Sequence, residues 1–131
     1  MASGLRELLL VGGGGFLGSV ARYYLGGAVT QAAAAPRFSV GTLAVNTLGC
    51  LAIGIVAGLA ERFHLFSPAT RILVITGLLG GFTTFSAFAY ETLFLAREAR
   101  WLAAGGNVVL QVGLGLAAVW LGHGAVRLFA T

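Results

Sequence analysis

Four long apolar segments occupy almost the whole of this chain and decide what it can fold into. They cover about residues 8–29, 40–60, 72–96 and 101–129. A helix of roughly 20 apolar residues crosses the hydrocarbon layer of a bilayer. Only helices or closed barrels satisfy the backbone in lipid, and these segments lack the alternation of strands. The sequence therefore predicts an all-α integral membrane protein with four transmembrane helices in one domain, residues 1–131, joined by loops at about 32–37 and 61–68.

Composition excludes several classes of protein. Of the 131 residues, 58% are hydrophobic and 9% charged, whereas a soluble domain carries about 25% charged residues. The net charge of +4 is spread along the chain, so it forms no basic patch for nucleic acid, and the lipid bilayer of a cell membrane is the expected surrounding. Cys50 has no partner for a disulfide and is expected to be a small buried residue. No nucleophile, base and orienting group occur at a recognisable spacing, so we expect no enzymatic activity.

The arginines give no preferred orientation in the membrane. Loops rich in Arg and Lys normally face the cytoplasm. One side of this chain carries Arg6, Arg62, Arg71 and Arg127, and the other carries Arg22, Arg37, Arg97 and Arg100. Such a balance predicts insertion in both directions and an antiparallel homodimer, comparable with the inverted repeats that transporters carry within one chain. The alternative is a single orientation that weaker signals set.

The third segment contains the strongest local pattern, GLLGGFTTFSAF at residues 77–88. Three glycines followed by two threonines weaken a helix in the middle of the bilayer, where irregular backbone is tolerated only if it lines a cavity or is buried in protein. We predict a broken helix, whose carbonyls suit a cation and whose N–H groups and hydroxyls suit an anion. The alternative is that the glycines serve a close crossing of two helices.

Asn46, Phe85 and Phe88 are candidates for an anion pathway. Asn46 lies inside the second segment, and its amide offers either two donors to a dehydrated anion or a bond to a neighbouring helix. Phe85 and Phe88 are three residues apart and so share a helix face. Their positively polarised ring edges can stabilise a small anion, although packing is the alternative role.

Further polar residues lie within the spans. Glu91, the only carboxylate well inside a span, is either a vestibule group or an acid that pairs two helices. Arg22 either extends towards the headgroups, which we favour, or helps recruit anions to a vestibule. Asn107 and Gln111, at an i,i+4 spacing, either line a path or join helices. His123 has no partner at metal-ligand spacing, and we assign it no role beyond that of an interfacial histidine.

Three motifs occur in a fixed order along the chain. They are GGGGFLGSVARY at residues 12–23, GTLAVN at 41–46, and GGFTTFSAF at 80–88 followed by Glu91. Together they resemble the CrcB/Fluc family of fluoride channels over nearly the whole chain, and the third motif is the most diagnostic. The resemblance implies a passive fluoride-selective channel, formed by a dual-topology homodimer with two pores near the subunit interface. Such a channel exports fluoride that entered as neutral HF and ionised inside the cell.

The resemblance also implies roles for individual residues. Phe85, Phe88 and Asn46 correspond to pore residues of the family, and Thr84 and Ser86 are expected to add hydroxyl donors.

A structural sodium ion, which is not transported, is also implied. Main-chain oxygens of Gly80 and Thr83 from each subunit would hold it at the dimer centre. The chain departs from the family in the fourth span, where a tyrosine and a small hydroxyl residue are common at about the positions of Asn107 and Gln111.

Two other functions are compatible with a small four-helix membrane protein. A dual-topology, proton-coupled exporter of organic cations requires a buried carboxylate in a binding chamber, for which Glu91 would have to serve. A passive scaffold subunit is disfavoured because Thr, Ser and Asn are concentrated at mid-membrane. Fluoride flux through purified protein in liposomes distinguishes a fluoride channel from both of these alternatives.

The balanced arginines lead to a prediction about topology. Cysteines introduced at the termini should react with impermeant reagents from both sides of the cell membrane, because the two orientations insert equally. Labelling from one side only would contradict dual topology.

Overall fold

The computed structural model describes residues 2–33 and 40–128, and all regular structure within this part of the chain is helical. In order, the elements are α1 (Ala2–Ala33), α2 (Val40–Phe63), α3 (Pro68–Arg71), a π-helical segment (Ile72–Leu79), α4 (Gly80–Phe82), α5 (Phe85–Arg97) and α6 (Trp101–Leu128). Four helical stretches are long and apolar enough to cross a membrane: Gly4–Ala33, Val40–Phe63, Pro68–Arg97 and Trp101–Leu128. The prediction of an all-α membrane protein with four spans is confirmed. We call these stretches the first to fourth spans.

The first three spans are longer than the apolar segments that predicted them. Residues 61–63, expected in a loop, still belong to α2, so the second connection shortens to residues 64–67. In this connection His64 has a φ of 50°, and the Ser67 side chain accepts a hydrogen bond from Thr70 N–H to cap α3. Most of the other predicted loop, residues 34–37 with Arg37, lies outside the described residues, as does residue 129.

Glycines bring α1 against the first half of the third span. Gly14 faces Gly77, and Gly18 lies against the backbone of Leu78 and Phe82. Because these contacts advance along both helices together, the first and third spans are parallel. The absence of side chains at this crossing lets two backbones touch, which is how small residues drive helix association in lipid.

A second glycine-mediated contact joins α2 and α6. Gly54 lies against Val119, and Gly58 lies against Val126, again in ascending order. The second and fourth spans are therefore parallel to each other. At their common end, His123 Nε2 lies 2.9 Å from Glu61 Oε2, which links α6 to α2.

The crossing between α1 and the third span should be sensitive to a single methyl group. In the Gly18→Ala variant the new Cβ overlaps the Leu78 carbonyl oxygen, and overpacking of this kind costs about 1–3 kcal/mol. Gly13→Ala is the matched control, since no neighbouring atom lies within 4 Å of a Cβ at that position. Thermal unfolding in detergent should show a lower midpoint for Gly18→Ala and an unchanged one for Gly13→Ala. Equal midpoints would contradict the close crossing.

Candidate functional site

The third span is interrupted at Thr83 and Thr84. Thr83 (φ −82°, ψ 156°) and Thr84 (φ −149°, ψ 109°) are both extended, between the end of α4 and the start of α5. The predicted break is confirmed, but it follows the glycines rather than including them. Gly77 and Gly81 instead pack closely against α1. Both roles foreseen for this segment are therefore present, on different residues.

Side chains of α1 cover two of the carbonyls near the break. Ser19 Oγ donates to the Gly81 carbonyl at 3.4 Å, and Arg22 Nη1 donates to the Thr83 carbonyl at 3.3 Å. These bonds replace helical hydrogen bonds in a region where lipid offers none. Sequence reasoning had missed Ser19, although a serine inside an apolar span is itself a signal of such a bond.

The direction of Arg22 differs from our expectation. Its guanidinium reaches the Thr83 carbonyl at the break, so the prediction that it extends to the headgroups was wrong. Side chains on a helix lean towards the N-terminus, and for Arg22 that direction leads towards the middle of α1. The arginine thus brings a positive charge towards the break.

Asn46 of α2 holds the other side of the break. Thr84 N–H donates to Asn46 Oδ1 at 2.8 Å, and Asn46 Nδ2 donates back to the Thr84 carbonyl at 3.1 Å. The same Nδ2 donates to Gln111 Oε1 of α6, also at 3.1 Å. An amide nitrogen carries two hydrogens, so both donors of Asn46 are used within the subunit. In this arrangement neither donor is free for an anion.

The hydroxyl of Thr84 begins α5. Ala87 N–H donates to Thr84 Oγ1 at 3.2 Å, which is the usual N-cap bond. Thr84 Oγ1 and Ser86 Oγ also lie 3.2 Å apart. The two predicted hydroxyl donors are thus neighbours at the N-terminus of the second half-helix.

A cavity of about 430 Å³ opens on one side of the break, and we call it the amide cavity. Asn46, Thr84, Phe85, Phe88 and Gln111 are among its lining residues. The rings of Phe85 and Phe88 meet edge to face, with centroids 5.2 Å apart and planes at 71°. Phe88 is 8% exposed and Phe85 is 77% exposed, so only one of the two rings is enclosed by this subunit.

Cys50 also lines the amide cavity. It is half-buried, so the expectation of a small buried residue was wrong. It stands beside Gly115 of α6, where a Cβ would lie 3.5 Å from the thiol sulfur. The described residues contain no cluster of three or more His, Cys, Asp or Glu that could hold a metal ion.

A second cavity, of about 750 Å³, lies on the other side of the break, and we call it the arginine cavity. Arg22, Thr42, Thr84 and Ser86 are among its lining residues. Thr84 therefore borders both cavities. The break is the wall between them.

Glu91 and Asn107 join helices and line neither cavity. Thr42 Oγ1 donates to Glu91 Oε1 at 2.5 Å, which ties α2 to α5. Asn107 is completely buried, and its Nδ2 donates to Thr92 Oγ1 at 3.0 Å, which ties α6 to α5. Of the two amide residues in the predicted stripe on α6, Gln111 lines the amide cavity and Asn107 lines neither of these two cavities. Three buried polar atoms of the described residues have no partner: Glu91 Oε2, Asn107 Oδ1 and Gln111 Nε2.

These features define a multi-pass membrane protein whose third span is broken between two cavities, an arrangement that channels and transporters use to place ions at mid-membrane. Comparison with known families then identifies the group. The family model described as "CrcB-like protein, Camphor Resistance (CrcB)" matches residues 9–123. The chain belongs to the CrcB family, and the resemblance found in its motifs is confirmed.

Relatives in several bacteria match the chain over most of its length. A protein of Methylobacillus flagellatus named fluoride-specific ion channel FluC is 45% identical over 122 residues, which cover 93% of this chain and 95% of the relative. The protein of the same name from Nitratidesulfovibrio vulgaris, strain Miyazaki F, is 46% identical over 128 residues, which cover 95% of this chain and 99% of the relative. That of Opitutus terrae is 50% identical over 84% of each chain. These relatives are named as ion channels and not as enzymes.

Proposed function

We propose that this chain forms a passive, fluoride-selective channel that exports fluoride from the cell. The observation that carries the proposal is the amide cavity, where aromatic edges, an amide pair and the broken backbone meet in one space. The relatives of matching length named as fluoride-specific ion channels support the same function. Residues 1–131 would then form one channel domain.

The lining of the two cavities suits a small anion. The positive edges of Phe85 and Phe88 replace part of the hydration shell without offering a carboxylate or other anionic group. On the other side of Thr84, the charge of Arg22 in the arginine cavity raises the local concentration of anions. A membrane potential that is negative inside drives an anion outwards with about 2.3 kcal/mol per 100 mV, so export needs no chemical energy source.

A second copy in the opposite orientation would complete the site. Gly80, Phe85 and Ser86 are exposed on the subunit although they stand next to the break. Polar backbone at this depth must be covered by protein or line an aqueous cavity. The equal arginine counts permit both orientations, so an antiparallel homodimer would cover this surface with the same surface of the partner.

Gly80 and Thr83 fit the proposed structural sodium ion. Thr84 N–H, which would bond the Gly80 carbonyl in a continuous helix, donates to Asn46 instead. The Thr83 carbonyl accepts from Arg22, but a carbonyl oxygen has two lone pairs and retains one. Hard oxygen donors of this kind suit a hard monovalent cation, and bound sodium would supply a fixed positive charge near the anion path.

The proton-coupled exporter has less support. It would need Glu91 in a binding chamber, but this carboxylate is bonded to Thr42 and borders neither cavity. No described contact favours that function over the channel.

The function is tested by fluoride flux from liposomes that contain the purified protein. We expect rapid efflux of fluoride and negligible efflux of chloride. Phe88→Ile and Phe85→Ile should each lower the fluoride rate at least tenfold, because an aliphatic side chain has no positive edge to offer the ion. Phe94→Ile is the matched control, since Phe94 is in the same helix but outside both cavities.

Two results would contradict the proposal. Wild-type protein that assembles but moves no fluoride would exclude the channel, and exchange of a cationic drug for protons would establish the exporter. Unchanged flux in both Phe85→Ile and Phe88→Ile would exclude a role of the two rings in the ion path, but not the channel itself.

The sodium site has its own test. Replacement of sodium by N-methyl-D-glucamine on both sides should lower either the thermal stability of the dimer or its fluoride flux, because the carbonyls at the break would lose their shared cation. We expect stability and flux to recover when sodium is restored, and not when caesium is added at the same concentration. Identical stability and flux in all three solutions would remove the sodium ion from the proposal.

A further inference from the structure

A third cavity lies away from the break, at the end that α2 and α6 share, and we call it the terminal cavity. Its volume is about 400 Å³, and the described residues that line it are Gly58, Glu61, Arg62, His123 and Arg127. Four of these five side chains are charged or can become charged. Among the described residues, the amide cavity has no Asp, Glu, Lys, Arg or His in its lining, and the arginine cavity has only Arg22. The terminal cavity therefore has a chemistry of its own.

Helical spacing places the charged side chains on two surfaces that face each other. In α2, Glu61 and Arg62 lie three and four residues after Gly58, and residues at these spacings share a helix face. In α6, Arg127 lies four residues after His123 and shares a face with it in the same way. The two faces meet at Gly58, where an added Cβ would lie 3.3 Å from the His123 carbonyl oxygen. The cavity is therefore built by two packed helices rather than by loop residues.

The terminal cavity lies at the level of the lipid headgroups. Arg62 is one residue before the end of α2 at Phe63, and Arg127 is one residue before the last described residue of α6, Leu128. Because the second and fourth spans are parallel, both ends reach the same face of the membrane. Arg62 and Arg127 are exposed. At the ends of spanning helices, arginine side chains extend to the headgroup region.

The terminal cavity carries an excess of positive charge. Arg62 and Arg127 each supply one positive charge, and Glu61 supplies one negative charge. His123 Nε2 lies 2.9 Å from Glu61 Oε2, and a carboxylate can only accept, so this nitrogen carries a hydrogen and the ring is held in place. One positive charge remains in excess when His123 is neutral, and two remain when it is protonated. An anion is the ligand that this charge favours.

We propose that the terminal cavity binds the phosphate group of an anionic phospholipid. Basic pockets between spanning helices bind lipid headgroups of this class, and about 400 Å³ is within the range of ligand pockets. Arg62 and Arg127 bind the phosphate oxygens, since a guanidinium forms paired hydrogen bonds with phosphate. The proposal is independent of the fluoride path, because the terminal cavity shares no lining residue with the other two cavities.

The competing explanation is that the arginines only compensate the helix ends. The C-terminal end of a helix carries a partial negative charge, which a basic residue in the last turn stabilises. Arg62 and Arg127 are both in the last turns of their helices. Arg97 is in the last turn of α5 and is exposed, but it does not line the terminal cavity. Its substitution is the matched control, since it removes the same charge from a helix end without changing the cavity.

The test compares two lipids with the same acyl chains on the purified full chain. Thermal unfolding in a neutral detergent is followed as phosphatidylglycerol or phosphatidylcholine is added. Both lipids carry a phosphate group, but only phosphatidylglycerol has a net negative charge. Phosphatidylglycerol should raise the unfolding midpoint of the wild-type protein in a saturable manner, and phosphatidylcholine should raise it much less. Equal stabilisation by the two lipids would overturn the proposal.

Arginine variants show whether the lipid binds in the terminal cavity. Each variant is compared with its own lipid-free midpoint, so that a change in stability is not mistaken for a change in binding. Arg127→Gln should raise the half-saturating concentration of phosphatidylglycerol about fivefold, the contribution of one basic residue near an anionic surface. Arg127→Lys keeps the charge and should retain most of the affinity. Arg97→Gln should change it less than about twofold, and an equal loss in Arg97→Gln and Arg127→Gln would overturn the site.

Glu61→Gln distinguishes the two explanations by the sign of its effect. The substitution keeps an acceptor for His123 Nε2 and removes the negative charge that opposes a phosphate group. If the cavity binds the headgroup, the half-saturating concentration of phosphatidylglycerol should fall, by about the factor that Arg127→Gln raises it. If the arginines only compensate the helix ends, the affinity for the lipid stays unchanged, and the proposal fails.

Inorganic phosphate separates a lipid from a soluble ligand. It supplies the same oxygen acceptors without acyl chains. Sodium phosphate, at the concentration at which phosphatidylglycerol half-saturates the site and at constant ionic strength, should leave the unfolding midpoint unchanged. Stabilisation by inorganic phosphate equal to that by the lipid would overturn the phospholipid as the ligand. These measurements do not depend on fluoride flux, so a failure of the lipid site and a failure of the channel are distinguishable.

Discussion

The structure depends on how the backbone at Thr83 and Thr84 is satisfied within hydrocarbon. A break in a spanning helix removes hydrogen bonds that lipid cannot replace. Ser19 and Arg22 of the first span and Asn46 of the second supply the replacements. Because these donors must reach specific carbonyls, the first and second spans are held in place beside the third. The glycine crossing of α1 serves this requirement by letting the helix come close enough for short side chains to bridge the gap.

The sequence predicts the helices well because the bilayer imposes one length and one kind of surface on every span. It also predicts the break, since Thr83 and Thr84 follow three glycines at mid-membrane. The separate duties of the glycines and threonines are not predictable from one span, because glycine permits both a break and a close approach. Only the position of α1 decides between them. The direction of the Arg22 side chain could not be predicted for a similar reason, because its acceptor lies 61 residues further along the chain.

Candidate polar residues are recognisable in the sequence, but their partners are not. Asn107 and Gln111 share a helix face, which predicts a common stripe. In the fold, α5 covers Asn107 at Thr92, while Gln111 stands beside Asn46 and the amide cavity. Two amides one turn apart therefore acquire different surroundings from the helices packed against them. Glu91 is similar, because its pairing with Thr42 depends on where α2 crosses α5.

The hydrogen-bonded relay from Thr84 N–H through Asn46 to Gln111 has a consequence for how such a protein can evolve. Thr84 N–H can only donate and so selects the oxygen of Asn46, and the nitrogen of Asn46 then selects the oxygen of Gln111. A substitution at position 46 changes the effect of a substitution at position 111, even where each is tolerated alone. The two positions are therefore expected to show strong epistasis and to change together or in a restricted order along a lineage. Thr84 takes part in this relay through its backbone only, while its hydroxyl separately caps α5.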